Sequence, residues 1–170
     1  MTERLDSRMV FEGHVVKVRV DRVRLSSGRE TDREVVVHPD TVAVAALTPD
    51  GKLVLIHQYR HPVGRQIWEV PAGKIDPGEE PEPAMRRELM EECGLEPGSM
   101  ELLGSFYLTP GYCTEKMHLY LARDCTQTLG VDAEEDIAEM RAVTLAQAEQ
   151  MIAAGEIVDA KTMLAVALLS

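Results

Sequence analysis

Gly73-Lys-Ile-Asp-Pro-Gly-Glu79-Glu-Pro-Glu-Pro-Ala-Met-Arg-Arg87-Glu88-Leu89-Met-Glu91-Glu92-Cys93-Gly94-Leu95 sets a short helical segment between two glycine-containing loops. Three carboxylates within it decide how the chain is read. Glu88, Glu91 and Glu92 stand at i, i+3 and i+4, so on a helix their side chains converge on one patch. Like charges at those spacings repel by roughly a few tenths of a kcal/mol per pair. Met85, Leu89 and Cys93 form an apolar stripe expected on a different side of the helix, so packing does not account for the acids. Something positive should face them. The natural candidate is a hard divalent cation such as Mg²⁺, which takes oxygen ligands and commonly bridges carboxylates to substrate phosphates. The competing reading is a solvated acidic face, and the spacing of the residues around the acids decides against it.

That spacing is Gly, five residues, Glu, seven residues, Arg-Glu, an aliphatic, any residue, Glu-Glu, any residue, Gly and an aliphatic. Gly73, Glu79, Arg87, Glu88, Leu89, Glu91, Glu92, Gly94 and Leu95 satisfy every fixed position. The segment resembles the Nudix box. The resemblance implies a Nudix hydrolase, which cleaves a nucleoside diphosphate linked to another group, and a Nudix-type α/β/α sandwich with a mixed sheet.

Composition fits a single enzyme domain of that kind. With 170 residues and 45% apolar content, the chain can bury one substantial core. A net charge of −11 argues against nucleic acid or an anionic membrane as partner, since both demand a basic footprint. An anionic substrate therefore needs the local field inverted by metal and a few arginines. Cys93, Cys113 and Cys125 form no CxxC spacing and no disulfide framework, which reads as a reduced, cytoplasmic protein. The first residues, Met-Thr-Glu-Arg-Leu-Asp, lack the apolar core of an export signal, and no stretch approaches the ~18 apolar residues that span a bilayer.

Residues 9–24 alternate, with Val16, Val18, Val20 and Val23 against Lys17, Arg19, Asp21 and Arg22; after a break at Ser26-Ser-Gly-Arg the pattern resumes over 34–38. This predicts an antiparallel ribbon over residues 1–40, ahead of a main domain over 41–170. Apolar runs at 42–47 and 53–56, joined by Thr48-Pro-Asp-Gly51, predict a core hairpin. A short strand is expected at 68–70. The acidic helix should run from about Pro81, where the missing N–H costs least, to Cys93, closed by Gly94. Strands at 101–108, 116–122 and 137–143 precede helices at 145–153 and 160–169. The order is that of an α+β sandwich with a mixed sheet.

Hydrolysing a diphosphate requires charge neutralisation, a positioned water and a base for its proton. Glu88 and Glu92 are the candidate principal metal ligands, with Glu91 bridging a second ion or holding waters, so Glu91 and Glu92 belong to the catalytic set. Arg87 and Glu91 stand at i and i+4 and should pair, while Glu79 reads as a loop brace. The family resemblance adds the backbone carbonyl of Ala72 as a metal ligand. It also puts the general base on the loop Asp132-Ala-Glu134-Glu135-Asp136, where Glu134 matches best, Glu135 and Asp136 remain alternatives, and Asp136 stands where a second glutamate is more usual.

Outside the box, Tyr107-Leu-Thr-Pro110-Gly-Tyr-Cys-Thr-Glu115-Lys resembles the characteristic loop of the ADP-ribose pyrophosphatase branch, and Arg33-Glu34 and Gln58-Tyr-Arg60 are similar to its substrate-contacting positions. Carried over, Arg33 and Glu34 bind the adenosine side, Arg60 the diphosphate, and Glu115 the terminal ribose or a contact behind the metal. The branch further implies a homodimer built through the N-terminal ribbon, and a Mg²⁺ cofactor, with Mn²⁺ or Zn²⁺ as alternatives. Nucleotide sugars, NADH and dinucleoside polyphosphates are alternative substrates, because the box reads only the diphosphate; a non-catalytic nucleotide sensor is the remaining alternative. His57 and His118 are expected to be structural, Trp68 to pack beneath a neighbouring strand, and Glu69 to point toward the metal end.

Overall fold

The computed structural model describes residues 1–128 and 137–170. The chain forms two compact units, Met1–Asp40 with Phe106–Met117, and Thr41–Ser105 with His118–Ser170.

In the first unit, β1 (Glu3–Glu12), β2 (Lys17–Arg24) and β3 (Glu30–Val37) form an antiparallel sheet in that order. The single alternating segment expected over 9–24 is in fact two strands. Gly13 N–H donates to the Val16 carbonyl at 2.9 Å, closing a turn that the alternation had run through. All ten residues of β1 are exposed, so its sequence carries no inside-outside pattern to read. The 106–117 segment is stitched to β3: Val36 N–H donates to the Tyr112 carbonyl at 2.7 Å, and Thr114 N–H to the Val36 carbonyl at 3.0 Å.

In the second unit, β4 (Thr41–Ala46) is buried at all six positions, as a strand covered on both faces must be. It lies between β7 (Ala72–Lys74) and β10 (Lys116–Arg123), with β9 (Ser99–Tyr107) beyond β10. A second sheet places β5 (Leu53–Arg60) between β12 (Ile137–Val143) and β6 (Arg65–Glu69), both antiparallel to it. β8 (Leu95–Glu96) and β11 (Thr126–Gln127) form a small separate pair. The expected core hairpin is therefore corrected. Its turn forms, with Gly51 N–H donating to the Thr48 carbonyl at 2.8 Å, but beyond one Leu47–Leu53 bridge β4 and β5 diverge into different sheets. The two apolar runs are thus buried in different sheets.

Helices α1 (Pro81–Cys93), α2 (Leu145–Ala153) and α3 (Ala160–Leu169) complete the unit. Pro81 opens α1, and Gly94, in the left-handed region at φ 62°, closes it with its N–H donated to the Met90 carbonyl at 2.8 Å. Met85, Leu89 and Cys93 pack on Val42, Val44, Ala46, Val54 and Ile56, which fixes α1 over the strands. Asp159 caps α3 by accepting from Thr162 N–H at 2.9 Å. Among the described residues no helix is long and apolar enough to cross a membrane.

Candidate functional site

The site grows from the approach of β7 to α1. Pairing of Ala43 with Ala72 and Val42 with Gly73 fixes the 72–73 backbone against the central strand. The α1 stripe faces the same strand from above. Glu88 and Glu92 are 9% and 3% exposed, so they lie within the buried face of α1 beside Met85 and Leu89. This corrects the expectation that acids and apolar stripe occupy separate sides: what covers these carboxylates is the backbone of 72–73 rather than solvent. Ala72 N–H donates to Glu92 Oε2 at 2.9 Å. The Glu88 carboxylate sits where a Cβ on residue 73 would stand, so any side chain there would overlap it. A side chain at 73 would therefore displace the Glu88 carboxylate from its present place.

Arg87 organises the outer rim. Its guanidinium donates to Glu79 Oε1 at 3.2 Å and Oε2 at 3.0 Å, to Glu88 Oε1 and Glu91 Oε2 at 2.9 Å each, and to the Lys74 carbonyl at 3.1 Å. The i, i+4 pair expected from the sequence forms, and Glu79 braces the loop as expected by also accepting from Asp76 N–H at 3.3 Å. Glu79 foremost, then Glu88 and Glu91, hold Arg87 still more firmly protonated than a free guanidinium, and Arg87 holds the Glu79 carboxyl below its ordinary range. Arg87 thus supplies part of the positive charge that the box acids face. Among the described residues no three His, Cys, Asp or Glu side chains are grouped closely enough to hold a metal. The chemistry of the donors nonetheless suits a hard divalent ion: carboxylate and carbonyl oxygens only, two of the carboxylates buried, around a glycine that clears the space.

A second polar cluster lies beside the first. Glu69, at the end of β6, is 1% exposed. It accepts from Arg60 Nε at 2.7 Å on Oε1 and from Arg60 Nη2 at 2.8 Å on Oε2, and a short contact brings Lys161 Nζ onto Oε2. Burial pushes the Glu69 carboxyl up, but Arg60 and Lys161 outweigh it and leave the group below its ordinary value. Asp159 pairs with Lys161 at 3.1 Å and accepts from Thr162 Oγ1 at 2.6 Å, and Thr162 Oγ1 accepts from Val70 N–H at 2.9 Å. Arg60 also feels the field of Glu92. Glu69, expected to point toward the metal end, is the anchor of Arg60. Lys161, Asp159 and Thr162 were missed by sequence reasoning. The available signal was a lone lysine in an otherwise apolar helix directly after an aspartate N-cap.

The remaining candidates lie on other segments of the chain. Arg33 and Glu34 are exposed on β3, opposite Asp21 and Val20 of β2, and Glu115 is half-buried one residue beyond Thr114, whose hydroxyl accepts from His38 N–H at 3.0 Å. These three belong to the first unit, whereas Ala72, Glu88, Glu91, Glu92 and Arg60 belong to the second. Glu134, with Glu135 and Asp136, lies outside the described residues. His57 stacks on Trp68 with ring centroids 4.5 Å apart, Arg141 lies 4.6 Å from the Trp68 ring centroid, and His118 Nδ1 bonds Ser105 Oγ at 2.8 Å, all structural arrangements as expected. All three cysteines are free, and burial pushes the Cys93 thiol far up, which makes it inert.

Comparison with known proteins bears on this geometry. Residues 37–165 match the model of the NUDIX domain, and residues 3–36 that of the nucleoside diphosphate sugar hydrolase N-terminal domain. The chain is similar to the methanol dehydrogenase activator of Bacillus methanolicus, at 41% identity over 95% of this chain and 89% of that one. It is also similar to the ADP-ribose pyrophosphatase of Bacillus subtilis (strain 168), at 38% identity over 92% and 86%. Among solved structures, a crystal structure of an ADP compounds hydrolase superimposes with a TM-score of 0.86 over 99% of this chain and 91% of that one; at 24% identity the likeness establishes a shared fold.

Proposed function

The chain belongs to the NUDIX domain family, and on that premise we propose that it is a pyrophosphohydrolase that splits the diphosphate of ADP-ribose into AMP and ribose 5-phosphate. One observation carries the chemistry: Glu88 and Glu92, two carboxylates buried against the backbone of Ala72 and Gly73 in an otherwise apolar packing layer. Buried acids without chemistry to perform would be a net cost. The choice of ADP-ribose rests on the relative from Bacillus subtilis, which is named for that substrate and matches nearly end to end.

The Ala72 carbonyl with Glu88, Glu91 and Glu92 would hold a divalent metal, Mg²⁺ by its preference for hard oxygens, with Mn²⁺ or Zn²⁺ as the other candidates. When bound, the metal neutralises charge on the diphosphate and acidifies water. The chain's own residues do the rest. Arg60, gripped by Glu69 on one edge, offers the diphosphate a fixed guanidinium. Arg33 and Glu34 take the adenosine side and Glu115 the terminal ribose. Glu134 removes the proton of the attacking water. The ribbon pairs two copies into a homodimer, supported by exposed Leu5, Met9, Val10 and Phe11 on β1. The three free cysteines suit a cytoplasmic protein.

The experiment is a set of initial rates with Mg²⁺ on ADP-ribose, ADP-glucose, NADH and a dinucleoside polyphosphate, with products separated by chromatography. We expect a kcat/KM for ADP-ribose at least about tenfold above the others, equivalent to about 1.4 kcal/mol in the transition state. A profile that peaks elsewhere would replace ADP-ribose as the substrate, and no hydrolysis of any of the four would remove the activity.

A further inference from the structure

We propose that Lys161, with Asp159, is a positioning residue for Arg60, so that the C-terminal helix sets the aim of the diphosphate-binding guanidinium; this rests on the reading of Arg60 given above.

Neutralising Glu69 does not by itself call for a lysine there. Glu69 is buried, and Arg60 alone, through two hydrogen bonds, already neutralises it. A second cation on the same carboxylate is surplus to that need, and an ammonium only 8% exposed is costly to bury. Its effect is geometric. Lys161 takes Glu69 Oε2 from the α3 side and is itself tied back to Asp159 at 3.1 Å, so the carboxylate that Arg60 binds is also held from α3. Arg60 therefore binds along one edge through Nε and Nη2, while Nη1 makes no hydrogen bond among the described residues and the side chain stays 37% exposed. Without Lys161, Glu69 is free to rotate, and Arg60 follows it.

The same helix end also reaches the backbone ahead of Ala72. Asp159 orients Thr162 at 2.6 Å, and the Thr162 hydroxyl receives Val70 N–H at 2.9 Å. One N-terminal turn of α3 thus holds both the arginine and the strand end that leads to residue 72. A helix serving only as cover would need neither bond.

The test uses the full chain with Lys161→Met, which removes the ammonium and keeps most of the volume. Asp159→Asn is the second variant, since its amide oxygen can retain the cap while weakening the hold on Lys161. The first readout is the Arg60 Nε–H signal in nitrogen-edited NMR, assigned by its loss in Arg60→Lys. The second is the split between KM and kcat on ADP-ribose with Mg²⁺, repeated in an Arg60→Ala background. We expect the Nε–H to shift and exchange faster with water, KM to rise about tenfold with kcat changed less than about threefold, and no further rise once Arg60 is absent. An unmoved signal and an unmoved KM in folded variants overturn the proposal. So does a KM effect that persists undiminished without Arg60, which marks a purely structural role. If the wild-type chain hydrolyses none of the diphosphates yet the Nε–H signal still moves, the functional reading falls and the positioning of Arg60 stands.

Discussion

β4 and β1 are both regular strands, and they are held by opposite means. All six residues of β4 are buried, flanked by β7 and β10 within one sheet and covered by helices. All ten residues of β1 are exposed, β2 is its one strand neighbour among the described residues, and Met9, Val10 and Phe11 are about half exposed. The lesson is that backbone pairing alone makes a strand, while side-chain burial decides what a substitution there costs. In the second unit stability is stored inside; in the first, β1 leaves apolar side chains exposed.

The sharpest way to break that contrast is truncation on each side. Leu55→Ala, at a fully buried position of β5, should lower unfolding free energy by about 3 to 4 kcal/mol, and Met9→Ala on β1 by less than about 0.5 kcal/mol. Urea denaturation at low protein concentration checks both. A loss at Met9 that grows with protein concentration would show that β1 is buried in an assembly, which would turn the contrast into support for the homodimer.

The same contrast runs through the acids of α1. Glu92 is 3% exposed and bonded to the Ala72 backbone, whereas the Glu91 side chain is 48% exposed and paired with Arg87. Glu92→Gln should reduce kcat by about a hundredfold or more, about 2.7 kcal/mol, and Glu91→Gln by about tenfold or less. Near-equal losses would mean that burial does not rank these residues, and wild-type turnover in folded Glu92→Gln would remove the assignment.

These contrasts also mark what the sequence could tell. The bounds of α1 follow from Pro81 and Gly94, and those of α2 and α3 from apolar periodicity, because those signals are local. The 9–24 segment hid a turn, because the apparent alternation ran on through the Gly13 to Val16 reversal between β1 and β2. β7 is only Ala72-Gly73-Lys74, too short for any pattern, and its existence follows from pairing with β4. The box spacing identified Glu88 and Glu92 but not their burial, because helical periodicity sorts residues by polarity and these acids sit on the apolar side. Lys161 showed in the sequence only as a lone lysine in a largely apolar helix, because the carboxylate that keeps it inside is 92 positions away in the chain.

Acid titration sharpens the picture at Glu69. Its carboxyl, pushed up by burial, is carried below the ordinary value of about 4.5 by Arg60 and Lys161. A lowered folded value means that its contribution is complete above the unfolded value and is lost as pH falls through the folded one. Melting temperatures measured from about pH 6 down to about pH 3 should therefore fall more steeply in the wild type than in Glu69→Gln. The variant itself should be less stable at neutral pH, because it leaves Arg60 and Lys161 without their shared anion. Parallel curves would mean that the Glu69 carboxyl titrates alike in the folded and unfolded states, so that Arg60 and Lys161 do not lower it.

The smallest effect expected separates two helix starts. Thr144 opens α2 with a full capping box: its hydroxyl accepts from Gln147 N–H at 3.2 Å, and Gln147 Oε1 accepts from Thr144 N–H at 2.8 Å. Glu80 opens α1 with no side-chain cap, and Pro81 there has no N–H to satisfy. Thr144→Ala should thus cost about 1 kcal/mol by orphaning a helix N–H, whereas Glu80→Ala should cost less than about half as much. Thr144→Ser, which keeps the oxygen, should restore most of the loss. If alanine at 144 is silent, packing of Ala148 and Met151 alone holds α2, and the contrast between the two starts disappears.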